Sequence, residues 1–387
     1  MIFIKRMLRA LFKCIACICI LLVLIELSLN AAFYARRLMA GDSGILYRFQ
    51  HGTHDAYPDM ARAVSAESEG KIGHDILGVV WRPRPVPSYK TQTLGPHGFR
   101  ASCCAPDGDA IKTFYVLGGS TVYGTGVDDA HTVSSYLNRM GQDRGWRFYN
   151  YGANGADSTQ EALLLSILLR DKKIPDGLII YHGFNDYYSS VSGLNAQGYV
   201  AHSFDEIINS LFLDLKRRVF EHSQTARLVY FALRLFTGEE KPMPANLPQQ
   251  VETTVSVMKG NYDLTTALGK AYGFPVYHFL QPMMATGLEK KANLLNDFTN
   301  GIFQRYVPPE AERAATQLYG DLRQDGRWID LSSIFVENQS KNVYIDEVHL
   351  GPDGNALVAK YIFQTLVKAE EHTPSAGSGN DLLNQGN

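Results

Sequence analysis

The chain opens on a mixed basic stretch, MIFIKRMLRALFK, and then runs apolar without a break from Cys14 to Ile25. Carried through Glu26 to Ala35, the segment has 22 positions and a single charge. As an α-helix it would span about 33 Å, close to the hydrocarbon thickness of a bilayer. Residues 41–110 lose this pattern and become rich in Gly, Pro and polar side chains, with WRPRPVP at 81–87 unable to form helix interior. From residue 112 onward, short apolar runs alternate with helical stretches, the pattern of a parallel sheet covered by helices. The predicted strands are Thr113–Leu117, Arg147–Tyr151, Leu178–Tyr181, Pro275–Leu280 and Trp328–Leu331.

Between the second and third strands, Ser158-Thr-Gln-Glu161 reads as a capping box in front of ALLLSILL and predicts a helix start. A last helix is expected over Asp353–Val367, after a Gly-Pro start signal, with Leu357, Val358, Tyr361, Ile362 and Leu366 on one face. The stretch 187–272 is longer than one crossover needs and carries helical pattern, so it reads as a helical insertion, either a cap over the carboxyl edge of the sheet that contributes to the substrate site or extra scaffold helices. Residues 371–387 are Gly/Ser/Asn-rich and predict a disordered tail. The expected organisation is therefore 1–40 as a basic stub and transmembrane signal anchor, 41–110 as a connector, 111–370 as the main domain, and 371–387 as the tail.

The apolar core 14–25 also suits the h-region of a cleavable signal. The candidate cleavage pairs Leu29/Ala31 and Phe33/Ala35 each put a bulky residue first, which favours a retained anchor. Lys5, Arg6, Arg9 and Lys13 before the segment outnumber Arg36 and Arg37 after it, so the N-terminus should stay cytoplasmic and the remainder lie outside, in the periplasm if the cell is Gram-negative. Cys14, Cys17 and Cys19 fall in the apolar run and act there as small hydrophobes. Cys103 and Cys104 are adjacent: they form either a vicinal disulfide or two thiols, and no disulfide framework is implied.

Composition adds exclusions. The 387 residues are 45% apolar and 20% charged, enough for a sizeable core, and the formal net charge is −2. No basic stripe with interleaved aromatics is present, so nucleic acid is not an expected partner. No His/Cys cluster stands at ligand spacing, so neither a metal nor another cofactor is expected.

Four short motifs carry candidate chemistry. Gly118-Gly119-Ser120-Thr121 follows the apolar strand FYVL, which places Ser120 on a turn at the carboxyl edge of a sheet. Asp346-Glu-Val-His349 precedes the last helix, and its spacing lets a carboxylate reach the imidazole Nδ1 and leaves Nε2 for a hydroxyl. Gly183-Phe-Asn185-Asp186 ends another strand, where a side-chain amide can face a developing oxyanion. Asn150-Tyr-Gly152-Ala-Asn-Gly155 ends a third and offers a glycine N–H. Each alone also reads as an ordinary loop.

Taken in order, these blocks resemble the SGNH (GDSL-like) hydrolase superfamily: GGST, NYGANGADS, GFND and DEVH match its first, second, third and fifth blocks. The resemblance extends over about residues 75–367, and the upstream GFRAS and the later HFLQP suit its membrane-linked bacterial members. The first block reads GGS rather than GDS. The second can be aligned with either Gly155 or Gly152 in the oxyanion position, Gly155 being preferred. The resemblance implies a flavodoxin-like three-layer α/β/α sandwich with a mainly parallel sheet. It also implies a Ser120–His349–Asp346 triad and an oxyanion hole of the Ser120 and Gly155 N–H groups with Asn185. The expected activity is a membrane-anchored, extracytoplasmic serine esterase acting on O-acyl esters, with acylated carbohydrate or envelope material as the substrate class that location and family analogy suggest. An acyltransferase using the same site and a catalytically silent membrane-tethered binding module are the alternatives.

Overall fold

The computed structural model describes residues 20–21, 23–32, 93–94, 99–192, 225, 243–295, 300–301, 303–304, 307–340 and 343–372. The chain divides into two compact units, one of residues 1–44 with 201–243, the other of residues 45–200 with 244–387. In the first unit, residues 20–21 and 23–32 are helical, and Ile20, Leu21, Val23, Leu24 and Leu27 are exposed. Glu26, the single charge of the apolar segment, accepts hydrogen bonds from Asn30 Nδ2 and the Thr225 backbone N–H, each at 2.9 Å. Among the described residues no helix is long and apolar enough to cross a membrane. The rest of the expected anchor, most of the connector, and residues 373–387 of the expected tail lie outside the described residues.

The second unit is built on five parallel strands: β1 (Lys112–Gly118), β2 (Trp146–Gly152), β3 (Gly177–His182), β4 (Val276–Leu280) and β5 (Ile329–Asp330). Their order is β2-β1-β3-β4-β5, the flavodoxin-like arrangement. Burial follows from position in that order. β3 is buried at every residue, as a central parallel strand covered on both faces must be, whereas the edge strand β2 alternates and leaves Tyr149 exposed.

Alternate residues of β1 feed the two layers. Tyr115 and Leu117, with Leu178 and Ile180, pack on Leu164, Leu165, Leu168 and Leu169 of α3 (Ser158–Arg170). Phe114 meets Trp146 and Phe148 on the other face, where Trp146 touches Phe363 of α9 (Pro352–Glu371). Between β1 and β2 stand α1 (Ser120–Tyr123) and α2 (Val133–Gly141); α4 (Phe184–Val191) follows β3. Later in the chain come α5 (Leu247–Tyr272), α6 (Leu288–Lys291), α7 (Pro309–Asp325) and α8 (Ile334–Glu337).

One sequence expectation is revised. A helix does start at Ser158, but the capping box does not form. Asp157 caps it by accepting from Gln160 N at 3.0 Å, while Ser158 and Glu161 turn to tertiary partners. The stretch 187–272 falls in several parts. Residues 187–191 belong to α4, residues 201–243 group with 1–44, and α5 packs on α3, α4 and α7 within the main unit. Cys103 and Cys104 are joined by a disulfide, with Cys104 at φ +63°.

Candidate active site

The register places Gly118 beside both Gly152 and Tyr181, and His182 beside Leu280, so β1, β2, β3 and β4 end at one edge. Ser120 leaves β1 there as the first residue of α1. Behind it, Arg100 from the upstream GFRAS stretch is 2% exposed and stitches the turn that follows α1. Its guanidinium donates to the carbonyls of Tyr123, Gly124 and Val127 and pairs with Asp129 at 2.8 Å.

The loop before α9 is closed by an antiparallel bridge between Tyr344 and Leu350 and by Ile345 N donating to His349 O at 2.8 Å. This fold-back presents His349 to the serine. His349 Nε2 lies 2.7 Å from Ser120 Oγ, and its Nδ1 lies 2.7 Å from Asp346 Oδ2. The second carboxylate oxygen accepts from the backbone N–H groups of Val348 and His349, at 3.0 and 2.8 Å. Burial would raise the Asp346 pKa, but the charge of His349 and these hydrogen bonds outweigh it and bring it to about 2. For His349 burial pulls down, while the charge and hydrogen bond of Asp346 and the charge of Glu347 push up, and the net displacement is upward. An ionised carboxylate thus holds Nδ1–H, which leaves the Nε2 lone pair facing the Ser120 hydroxyl.

Asn185 sits in the first turn of α4, after Gly183 at φ +129°. A side chain on Gly183 would strike the Tyr319 hydroxyl. Asn185 Nδ2 donates one hydrogen to Ala156 O at 2.7 Å. Its amide lies over Gly119, where an added Cβ would overlap Nδ2. The side-chain donor is therefore held beside the Gly119–Ser120 peptide.

The two glycines of the second block separate cleanly. Gly152 N is taken by Asn150 Oδ1 at 2.9 Å, and a Cβ at Gly152 would overlap Tyr123 N, so this residue serves close packing of β2 on α1. Gly155 is exposed at φ +79°, and its N–H meets no acceptor among the described residues. The structure thus brings Ser120, His349 and Asp346 into one hydrogen-bonded chain, with Asn185 alongside and Gly155 in the loop after β2.

Sequence reasoning passed over a buried polar group behind this edge. Asp186 accepts from Ser158 Oγ at 2.6 Å and from Ser158 N at 3.2 Å. His182 Nδ1 lies 2.9 Å from Glu161 Oε2, both side chains being almost fully buried. Burial and then the like charge of Asp186 push Asp157 up to about 7. For His182, burial pulls down but the Glu161 charge and hydrogen bond push it above its ordinary value. Spacing held no signal for these partners, which lie 21 and 28 residues apart in sequence. Among the described residues, no group of three or more His, Cys, Asp or Glu is placed to hold a metal ion.

No family model and no curated protein sequence matches the chain. Solved structures similar to it include a lipolytic protein of the G-D-S-L family from Veillonella parvula, 11% identical with TM-score 0.37, covering 66% of this chain and 98% of that one. An acetyl xylan esterase, AlAXEase, is 12% identical with TM-score 0.37 over 66% and 99%. A putative arylesterase from Agrobacterium tumefaciens is 14% identical with TM-score 0.38 over 67% and 99%.

Proposed function

We propose that the chain is a serine ester hydrolase with Ser120 as nucleophile. The observation that supports this reading is the chain Ser120 Oγ–His349 Nε2–His349 Nδ1–Asp346, with 2.7 Å at each link. A serine hydroxyl becomes a competent nucleophile once a positioned base takes its proton, and the base needs a carboxylate to fix its tautomer and stabilise the imidazolium. Ser120 Oγ attacks the ester carbonyl carbon as His349 Nε2 takes the hydroxyl proton. The oxyanion meets the second Asn185 Nδ2 hydrogen and the N–H groups of Ser120 and Gly155. His349 then protonates the leaving alcohol. Water attacks the acyl-enzyme with His349 again as base, and the acid is released.

We further propose that this unit works outside the cytoplasm on a membrane tether. The exposed apolar helical residues between Ile20 and Leu27 and the Cys103–Cys104 disulfide favour that placement, since disulfides persist in oxidising compartments.

The test uses the full-length chain. It should release p-nitrophenol from p-nitrophenyl acetate and take a fluorophosphonate label at Ser120. Ser120→Ala retaining both properties would falsify the nucleophile assignment. Acyl transfer to an added alcohol in preference to water would reassign the same site to a transferase.

A further inference from the structure

The Asn185 amide is useful to an oxyanion only if its free hydrogen points the same way in every molecule. A single bond to Ala156 O leaves the helix that carries it free to shift against the loop that carries Ala156. Three residues outside the triad remove that freedom. Asp186, next to Asn185, receives both the Oγ–H and the N–H of Ser158, two residues beyond Ala156. Residues 185 and 186 therefore grip 156 and 158 at two points, tying the start of α4 to the start of α3. Ser158 Oγ spends its proton on Asp186 and so needs a donor from another direction. Asn261 of α5 supplies it: its Nδ2 lies 3.0 Å from Ser158 Oγ and 3.0 Å from Thr159 Oγ1. Asp186 and Ser158 are buried and Asn261 is half-buried, so water competes little for these bonds. α5 packs against both α3 and α4, which lets one side chain brace their junction.

We propose that Asn261, acting through Ser158 and Asp186, is a positioning residue that holds the Asn185 amide in place for the oxyanion. This rests on the reading of Ser120 as an ester-hydrolysing nucleophile and extends it to a helix that carries none of the sequence motifs. None of the three residues touches the reacting atoms. Their contribution is to the geometry of the donor, so it should be visible in kcat and absent from KM.

The experiment is a set of double-mutant cycles in the full-length chain, with p-nitrophenyl acetate turnover, fluorophosphonate labelling rate and urea unfolding measured together. Asn261→Ala and Ser158→Ala should each lower kcat about fivefold, with KM unchanged. Ser158→Thr keeps the hydroxyl and should retain wild-type kcat. In an Asn185→Ala background the same two substitutions should cost nothing further, because no amide is left to aim. Losses that persist at full size in that background would overturn the proposal and leave only a structural role, as would unchanged kcat in both single variants. If Asn185→Ala itself leaves kcat untouched while Ser120→Ala abolishes it, the oxyanion assignment and the clamp fall together and the nucleophile stands. If Ser120→Ala stays active, the hydrolase reading itself has failed.

Discussion

Of the acid–histidine pairs in the main unit, one lies in the loop before α9 and faces a hydroxyl, and another joins α3 to the end of β3 and faces none. Asp346–His349 has side chains 20% and 18% exposed, and its distal nitrogen meets Ser120. Glu161–His182 is 2% and 3% exposed, and its distal nitrogen, His182 Nε2, has no hydrogen-bond partner among the described residues. In both pairs the acid holds Nδ1 and raises the histidine pKa against burial. The pairing therefore does not by itself make a catalyst. What separates them is the other nitrogen: in one pair it meets the Ser120 hydroxyl, the nucleophile of the proposed function, and in the other it is sealed. The sealed pair is a structural tie between α3 and the end of β3, one whose loss leaves a buried charge without compensation.

The largest test of that difference is to break the acid in each. Asp346→Asn should lower kcat about 10⁴-fold by allowing the wrong imidazole tautomer. The residual pH profile is informative too. Wild-type kcat/KM should rise with pH through an inflection above about 6.5, because activity needs neutral His349 and its pKa is raised. In Asp346→Asn that inflection should move down. A profile that fell with rising pH would contradict His349 as base.

Removing the Asn185 amide should cost less. Asn185→Ala is expected to lower kcat about 10²–10³-fold, the range seen when one oxyanion donor is deleted. Glu161→Gln should do the reverse of Asp346→Asn. Urea unfolding should show a loss of about 3–5 kcal/mol, as for a broken buried pair, while turnover per folded molecule stays at the wild-type level. A collapse of turnover in the folded fraction would mean that the sealed pair takes part in catalysis.

The contrast also explains what could be read from the sequence. Asp346 and His349 are three residues apart and meet within one loop, so their spacing already encoded the contact. Ser120, Gly155 and Asn185 each follow an apolar strand, and parallel strands put their carboxyl ends on one edge whatever the intervening helices do. All five strands were legible from their apolar runs for the same reason. The Glu161–His182 pair was not, because its partners meet only after α3 packs on β3. Ser158 and Glu161 even satisfied a local rule, the capping box, that lost to tertiary partners: Asp186 and His182 bind the same atoms, and Asp157 replaces the cap. Asn261 is one asparagine in a 26-residue helix and carries no local signal at all. The division that groups 201–243 with 1–44 was equally invisible, since periodicity reports a helix and not what it packs against.

The smallest predicted effect concerns a third histidine beside the sealed pair. His278 of β4 lies with its ring centroid 5.6 Å from that of His182 and 4.3 Å from that of Tyr262, and its Nε2 meets Thr265 Oγ1 at 3.1 Å. Burial, then the charges of His182 and Arg327, hold its pKa well below the ordinary value. The unfolded chain binds a proton here below about 6.5 that the folded chain refuses, so this group alone makes stability fall as pH drops through that value. Asp157 and Glu289, both pushed up to about 7, work the other way. They keep protons in the folded state that the unfolded carboxylates release, which adds stability as pH falls from about 7 towards 4. Asp346, at about 2, begins to cost stability only below about pH 5, where its unfolded carboxylate starts to take up a proton. The difference between proteins isolates the effect. His278→Gln, relative to wild type, should gain stability with decreasing pH from about 6.5, by at most about 1.4 kcal/mol per pH unit, the weight of one proton. A difference that stays flat between pH 7 and 4.5 would mean that His278 takes up its proton in the folded state, and that two imidazolium rings can share this seam.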